Sequence, residues 1–495
     1  MNLLNVRRLT PGIKAMLVFG CAIMTGFMWR VRGSHGWGSM WGMFAVGVML
    51  VLFIFAFFGN RKKMSLEAIP IAVFLLGITN GGWGTLNSQM GGYLQSTVPF
   101  TGQEVVDTVE ISAGSGMAIM LLLGFGWMPL FAMFIGSLFS KKQYKIWHYI
   151  ALIAVFYAVV YVFQFFVAHY ILPFINSQAV ESFKLGLADR GVEMSPMMAY
   201  IKNLGSEPWF KKIPYGRNYF ASIRVISYAA GALVLSLATL IAKRDVVTSF
   251  ISFAINAISA ISITLADVVM VVDSDRGFFA SVNNVPRFLQ GGNWSLWEYL
   301  TGFFLGFGIM LLLVCLPKKI AGGEGDFDYE LPLKNSKLYA AYSAVLTLFF
   351  TFVLTAARPA GMRIAEIFEI RGMGDEDTLT IIFTAIISVI GIIPCIVVAH
   401  KNIVKKNLPN LLNARTEDFC LKAAPLYFIV TALLYFVFSD SGVFKAIPFA
   451  EINSPASLLE MIRSGRILII TIMLISFALF NFIYFTVLKK CIRKK

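Results

Sequence analysis

Charge is scarce in this sequence. Of 495 residues only 14% are charged, against about 25% in an ordinary soluble chain. Long polar stretches are scarce too. Apolar windows of the roughly 20 residues that a spanning helix needs recur from end to end, and the mean hydropathy is +0.73. These shortages exclude a soluble domain of ordinary size and describe an all-α, polytopic membrane protein whose first partner is the lipid bilayer. The five cysteines (Cys21, Cys315, Cys395, Cys420, Cys491) show no paired spacing, so neither a disulfide framework nor a cysteine metal site is expected. The four histidines are dispersed along the chain, and neither a metal nor another cofactor is expected. No Walker motif occurs, which argues against ATP hydrolysis in this chain. The N-terminal stretch "MNLLNVRRLTPGIKAMLVFGCAIMTGFMW" has the basic start and apolar run of a leader. It lacks an A-x-A-like cleavage site and a second apolar run follows soon after, so it reads as the first membrane helix.

Twelve apolar runs are present, at about 12–29, 40–59, 66–82, 117–139, 147–172, 221–242, 246–272, 297–316, 338–357, 379–399, 420–438 and 465–488. Basic clusters follow every second run: Arg61-Lys62-Lys63, Lys141-Lys142, Lys243-Arg244, Lys318-Lys319, Lys405-Lys406 and the terminal "KKCIRKK". The positive-inside rule then places both termini in the cytoplasm of a multi-pass protein of the plasma or inner membrane.

The formal charge is +15, from 42 basic and 27 acidic residues. In so apolar a chain this does not point to nucleic acid; its distribution carries the information. On the topology just given, the cytoplasmic side holds 19 Lys and 6 Arg, and the outer side 5 Lys and 12 Arg. Lysine suffices for topology. Arginine is the better residue where a planar anion must be held by two parallel hydrogen bonds. The excess of arginine on one side therefore favours an anion-handling outer face, although outer arginines that only pair with loop acids would look the same individually.

The chain also echoes itself. "GSMWGMFAVGVMLVL" (38–52) resembles "WSLWEYLTGFFLGFG" (294–308), "GWMP" (126–129) resembles "GIIP" (391–394), and "SIR" (222–224) resembles "SGR" (464–466). These matches pair run n with run n+6. The expectation is two pseudo-repeated six-helix halves of the same orientation, 1–244 and 245–495, as in major-facilitator transporters. That likeness is one of architecture only. The first half includes a large outer connection at about 173–220, in which Val180, Phe183 and Leu187 could share one face of a short interfacial helix.

Polar islands punctuate the outer side at 29–42, 79–97, 273–294 and 357–377. Their glycines permit close backbone approach, and irregular backbone at membrane depth is tolerated where it lines a wet cavity or is buried in protein. Seven of the nine tryptophans lie on this side, suited either to an interfacial belt or to stacking on an organic ring. From these islands the candidate substrate-binding residues are Arg30, Arg32, His35, Trp37, Trp83, Asn87, Gln89, Arg276, Arg287 and Trp294, joined by Arg224 and Arg466, which open the sixth and twelfth runs. Asp267, an acid well inside an apolar run, is the candidate proton-coupling group, with Arg224 or Arg276 as its prospective partner. The spacing of Glu104, Asp107 and Glu110 would put three acids on one face if that stretch were helical.

Three functions fit. The strongest is a secondary transporter of an anionic or sugar-like small molecule, not an enzyme. A transferase or hydrolase acting on a lipid-linked or glycan substrate at the outer leaflet is the alternative. A non-catalytic component of an envelope or export complex is the third.

Overall fold

The computed structural model describes residues 9–34, 40–59, 68–80, 97–99, 108–110, 112–210, 212–276, 293–316, 353–370, 374–399, 416–438 and 454–463, with isolated positions between them and toward the C-terminus. The described chain is helical apart from one short antiparallel ladder, β1 (Thr97–Pro99) with β2 (Thr108–Glu110), in which Val98 opposes Val109. The stretch around Glu110 is thus a strand and not the acidic helix that its spacing suggested. Glu104 and Asp107 lie outside the described residues.

Six helices among the described residues are long and apolar enough to cross a membrane. A bent pair, α4 (Ala113–Phe125) and α5 (Pro129–Phe139), makes a seventh if counted as one span. These helices are compatible with a membrane location. The runs predicted at 338–357 and 465–488 fall mainly outside the described residues.

The chain divides into two compact units, one of 1–74, 286–291 and 326–495 and one of 75–285 and 292–325. Each is interrupted in sequence, and the helices on either side of residue 244 belong to the same unit.

In the first unit α1 (Pro11–Ser34) packs on α2 (Met40–Phe58), and α2 packs on the long helix Thr416–Phe438. Phe27 of α1 meets Phe428 and Tyr435 edge-on at 5.2 and 5.6 Å. The Tyr427 hydroxyl donates to the Ala45 carbonyl at 3.3 Å. The described residues of α2 from Met43 to Phe58 are all buried, so this uniformly apolar helix is a core element.

The second unit is built around one helix. Besides the end of α3 (Ala68–Asn80) and the β1–β2 ladder, its described elements are α4, α5, α6 (Ile146–Val162), a π-helical turn at Phe163–Val167, α7 (Ala168–Ile175), α8 (Ser177–Asp189), α9 (Pro196–Lys202), α10 (Glu207–Phe210), α11 (Gly216–Lys243), α12 (Val246–Arg276) and α13 (Asn293–Cys315). α12 is flanked by α4, α5, α11 and α13. The α4–α5 break bends the chain by 50°. Pro129, at the first turn of α5, has no N–H to donate and excludes helical backbone before it; Met128 sits at φ −136°, ψ 39°. Beyond the break both helices lie tightly on α12. A Cβ on Gly124 would come within 2.5 Å of the Ala260 Cα, and one on Gly136 within 2.8 Å of the Thr248 carbonyl oxygen. Only glycine permits that approach.

The outer faces of several helices stay apolar. On α6 and its continuation, Ile150, Tyr161, Phe166 and Tyr170 are exposed. Contiguous exposed apolar surface on such long helices is what a lipid environment accommodates.

The 173–220 connection folds as α8, α9 and α10. The predicted face of α8 exists, with Phe183 and Leu187 buried and Val180 partly so. Phe183 stacks on Tyr219 of α11 at 4.6 Å and packs on Phe210 at 5.4 Å, so the connection is pinned to the helices it joins.

Candidate functional site

α12 carries a buried file of polar side chains. Thr248, Ser252, Asn256, Ser259 and Asp267 are all at most 1% exposed. At 3.6 residues per turn these five positions fall within about 100° of one another, on the side of α12 that faces α11 and α4. The contacts agree. Ser252 shares a hydrogen bond of 3.0 Å with Ser236 of α11, and Gly124 of α4 abuts Ser259 and Ala260.

The lower end of the file is fully bonded. The Asp245 carboxylate accepts from the Tyr144 hydroxyl at 2.9 Å, the Thr248 hydroxyl at 2.6 Å and the Thr248 N–H at 3.1 Å. Asp245 therefore caps α12 and ties it to the connection between α5 and α6. Burial holds the Tyr144 phenol well above its ordinary range, and the neighbouring Asp245 charge adds to this.

The upper part of the file is different. Neither oxygen of Asp267, neither polar atom of the Asn256 amide and not the Ser259 hydroxyl has a hydrogen-bond partner among the described residues. Thr301 of α13 is another buried hydroxyl without one. It lies two turns before Gly308, the residue that meets Ile258 of α12. Buried polar groups are nearly always bonded, to protein or to water, so a run of exceptions calls for an explanation. The ion pair expected between Asp267 and Arg224 is not formed.

A second polar cluster lies on another side of α11, where α7 and α9 meet it. His169 Nδ1 and the Tyr219 hydroxyl are 2.6 Å apart, while among the described residues His169 Nε2 and the Tyr200 hydroxyl are buried without a well-formed hydrogen bond, the Gln164 side chain lying near the latter. Tyr200 stacks on Phe220 at 5.8 Å and meets His169 edge-on at 5.1 Å. Burial raises its hydroxyl above the ordinary range, and the Arg224 charge pulls it partly back. The Arg224 guanidinium sits over the rings of Phe220 and Tyr228 at 5.5 and 5.8 Å. Since α11 begins at Gly216, Arg224 is two turns into the helix and does not open it. Gln164 projects into this neighbourhood from the π-helical turn; such turns recur at functional sites.

In the first unit, Arg30 and Arg32 stand in the last turns of α1, 8% and 0% exposed. The Arg32 guanidinium lies 5.2 Å from the Trp29 ring centroid, within cation–π range. Of the other sequence-derived candidates, His35, Trp37, Trp83, Asn87, Gln89, Arg287 and Arg466 lie outside the described residues, as do the side chains of Arg276 and Trp294. Among the described residues no group of three His, Cys, Asp or Glu is disposed to hold a metal ion.

Asn256, Ser259, Thr301, His169, Tyr200 and Gln164 were not singled out in the sequence. The steps of three and four from Thr248 to Ser259 are a legible signal for the file. Nothing local marks Tyr200 or Gln164, which converge only through packing. Compared with protein-family models, with curated proteins and with solved structures, the chain matches none.

Proposed function

We propose that this chain is a proton-coupled secondary transporter of an anionic or sugar-like small molecule. Its twelve spans would form two six-helix halves in the cell membrane, with both termini cytoplasmic. The observation that carries the reading is Asp267: a carboxylate fully buried in a membrane-length helix, with neither oxygen bonded to any of the described residues. An isolated carboxylate is costly there. It is tolerated only while it carries a proton or meets a cation, so a group that alternates between buried and wet surroundings can link proton binding to conformation. The broken α4–α5 helix packed on α12 supports the same reading, because discontinuous helices beside an intramembrane charge are a recurrent feature of carriers. Within the first unit Arg30 and Arg32, near Trp29, and within the second Arg224, near Phe220 and Tyr228, are each candidates to meet an anionic substrate.

The test is proton movement in proteoliposomes loaded with a pH-sensitive dye and challenged with sulfate, sugar phosphates and uronic acids. One of these should drive proton entry into wild-type vesicles. Asp267→Asn should abolish net proton flux yet leave substrate exchange measurable, since exchange needs no net proton release. Proton flux undiminished in Asp267→Asn would overturn the assignment.

A further inference from the structure

The face of α12 holds more than one buried carboxylate, and its spacing has a consequence. Asp245, Thr248, Ser252, Asn256, Ser259 and Asp267 span 22 residues, or about 33 Å at 1.5 Å per residue, close to the ~30 Å hydrocarbon thickness of a bilayer. From Asp245 to Ser259 the steps are three or four residues, about 5–6 Å each along the axis. That is the span of two hydrogen bonds through one bridging water. Beyond Ser259 the face continues through apolar Ile263, and α11 supplies the next polar group. The Ser236–Ser252 bond sets the register of these antiparallel helices. Carried along both axes at 1.5 Å per residue, that register brings Ser222, fully buried and fourteen residues before Ser236 on α11, to about the axial level of Ala266.

We propose that this face holds a file of water molecules that carries protons between Asp267 and the Asp245 end of α12. The file rests on the proton-coupled reading above and names the route that the proton takes. Two independent features point to water. The first is the unbroken burial of the file, with Thr248, Ser252 and Asn256 at 0% and Ser259 at 1%. The second is its unmet polar atoms: Asn256 Oδ1 and Nδ2, the Ser259 hydroxyl and both Asp267 oxygens. A buried water typically makes two to four hydrogen bonds to such groups. An asparagine amide offers both donor and acceptor, so it can hold a water on each side without itself ionising. Each hop breaks one O–H bond on the donating oxygen and forms one on the accepting oxygen. One proton leaves Asp267 and one arrives at the basic end, where Lys141, Lys142, Lys145 and Lys243 lie near in sequence to Tyr144 and Asp245. The glycines at 124 and 136 bring the broken α4–α5 pair directly onto this face and close it from the side.

The test reads Asp267 itself and needs no substrate. In infrared spectra of the protein in lipid nanodiscs, the wild type minus Asp267→Asn difference should contain the C=O stretch of a protonated carboxylic acid. Its shift on changing from H2O to D2O measures how fast protons reach the site. Asn256→Leu should slow that exchange on the order of tenfold or more, and Ser259→Ala should slow it less. Asn256→Leu should still fold, because it removes an amide that has no hydrogen-bond partner among the described residues. Ile261→Val, on the exposed side of the same helix, should leave the rate unchanged. If the band is present and both Asn256→Leu and Ser259→Ala exchange at the wild-type rate, the file is wrong while the reading of Asp267 stands. If no such band belongs to Asp267, the proton-carrying role of the aspartate falls, and the file with it.

Discussion

Replacing Asp245 by alanine is the sharpest test of how the second unit is held together. The carboxylate is 2% exposed and accepts three hydrogen bonds, two of them from the buried hydroxyls of Tyr144 and Thr248. Loss of the cap on α12 costs about 1 kcal/mol. A hydrogen bond to a charged group contributes about 1.5–3 kcal/mol, and a donor left buried without a partner costs about 1–3 kcal/mol. These overlap, because the same two hydroxyls are counted in both, so the expected total is about 3–5 kcal/mol. Asp245→Asn keeps an acceptor for the Thr248 N–H and should cost about half as much. Tyr144→Phe removes one donor and should cost about 1–2 kcal/mol. The assay is equilibrium unfolding in mixed micelles, followed by circular dichroism, with Asp245→Ala, Tyr144→Phe and the double variant forming a cycle. A large coupling energy is expected because the residues touch. A cost below 1 kcal/mol for Asp245→Ala, or strict additivity in the cycle, would show that this clasp does not hold the α11–α12 turn.

Other predictions follow from neighbouring contacts. Gly124→Ala should destabilise by about 1–3 kcal/mol, since its methyl group would meet backbone atoms of Ser259 and Ala260, whereas Gly114→Ala meets nothing within 4 Å and should be neutral or slightly stabilising; unfolding in micelles separates the two. Tyr219→Phe, which strips the hydroxyl from His169, should cost about 1–3 kcal/mol. Tyr200→Phe removes a hydroxyl that makes no well-formed hydrogen bond among the described residues and should cost less than its neighbour when measured the same way. Asp375 accepts the Thr378 N–H at 2.9 Å at the start of the helix Glu376–Ala399, and this bond holds its carboxyl below the usual range. A depressed carboxylate contributes stability above its unfolded pKa and loses it as pH falls through the folded value. Amide exchange in that first helical turn, corrected for its intrinsic pH dependence, should therefore lose protection in acid, and Asp375→Asn should weaken the response.

Much of this molecule is legible in one dimension because its helices are written in local patterns. Apolar runs separated by Gly, Pro and basic clusters mark where α1, α2, α6, α11, α12 and α13 form, and the periodicity of Val180, Phe183 and Leu187 marks the face of α8. The break between α4 and α5 can be seen in "GWMP", since proline acts on its own neighbours. Local pattern fails where distant strands or helices compete. The acids near Glu110 have helical spacing, yet Thr108–Glu110 pairs with Thr97–Pro99; strand pairing depends on another segment, which spacing cannot report. Arg224, one of the two partners expected for Asp267, fails for a related reason, while the side chain of the other, Arg276, lies outside the described residues. Arg224 turns toward Phe220, Tyr228 and Tyr200, a direction set by its angular position on α11 and by what packs there.

The amino-acid order by itself determined an apolar, largely helical chain with a carboxylate in an apolar run and polar residues every third or fourth position before it. Periodicity and hydropathy are properties of a segment alone, so they need no neighbours to be read. Only the tertiary structure decided that this polar face turns inward against α11 and α4, that Asp245 is bonded three times over, and that Asp267 receives no hydrogen bond from the described residues. Burial and hydrogen-bond satisfaction depend on which surfaces meet. Residues as far apart as Tyr144 and Asp245, or Gly124 and Ala260, become neighbours only when the helices pack.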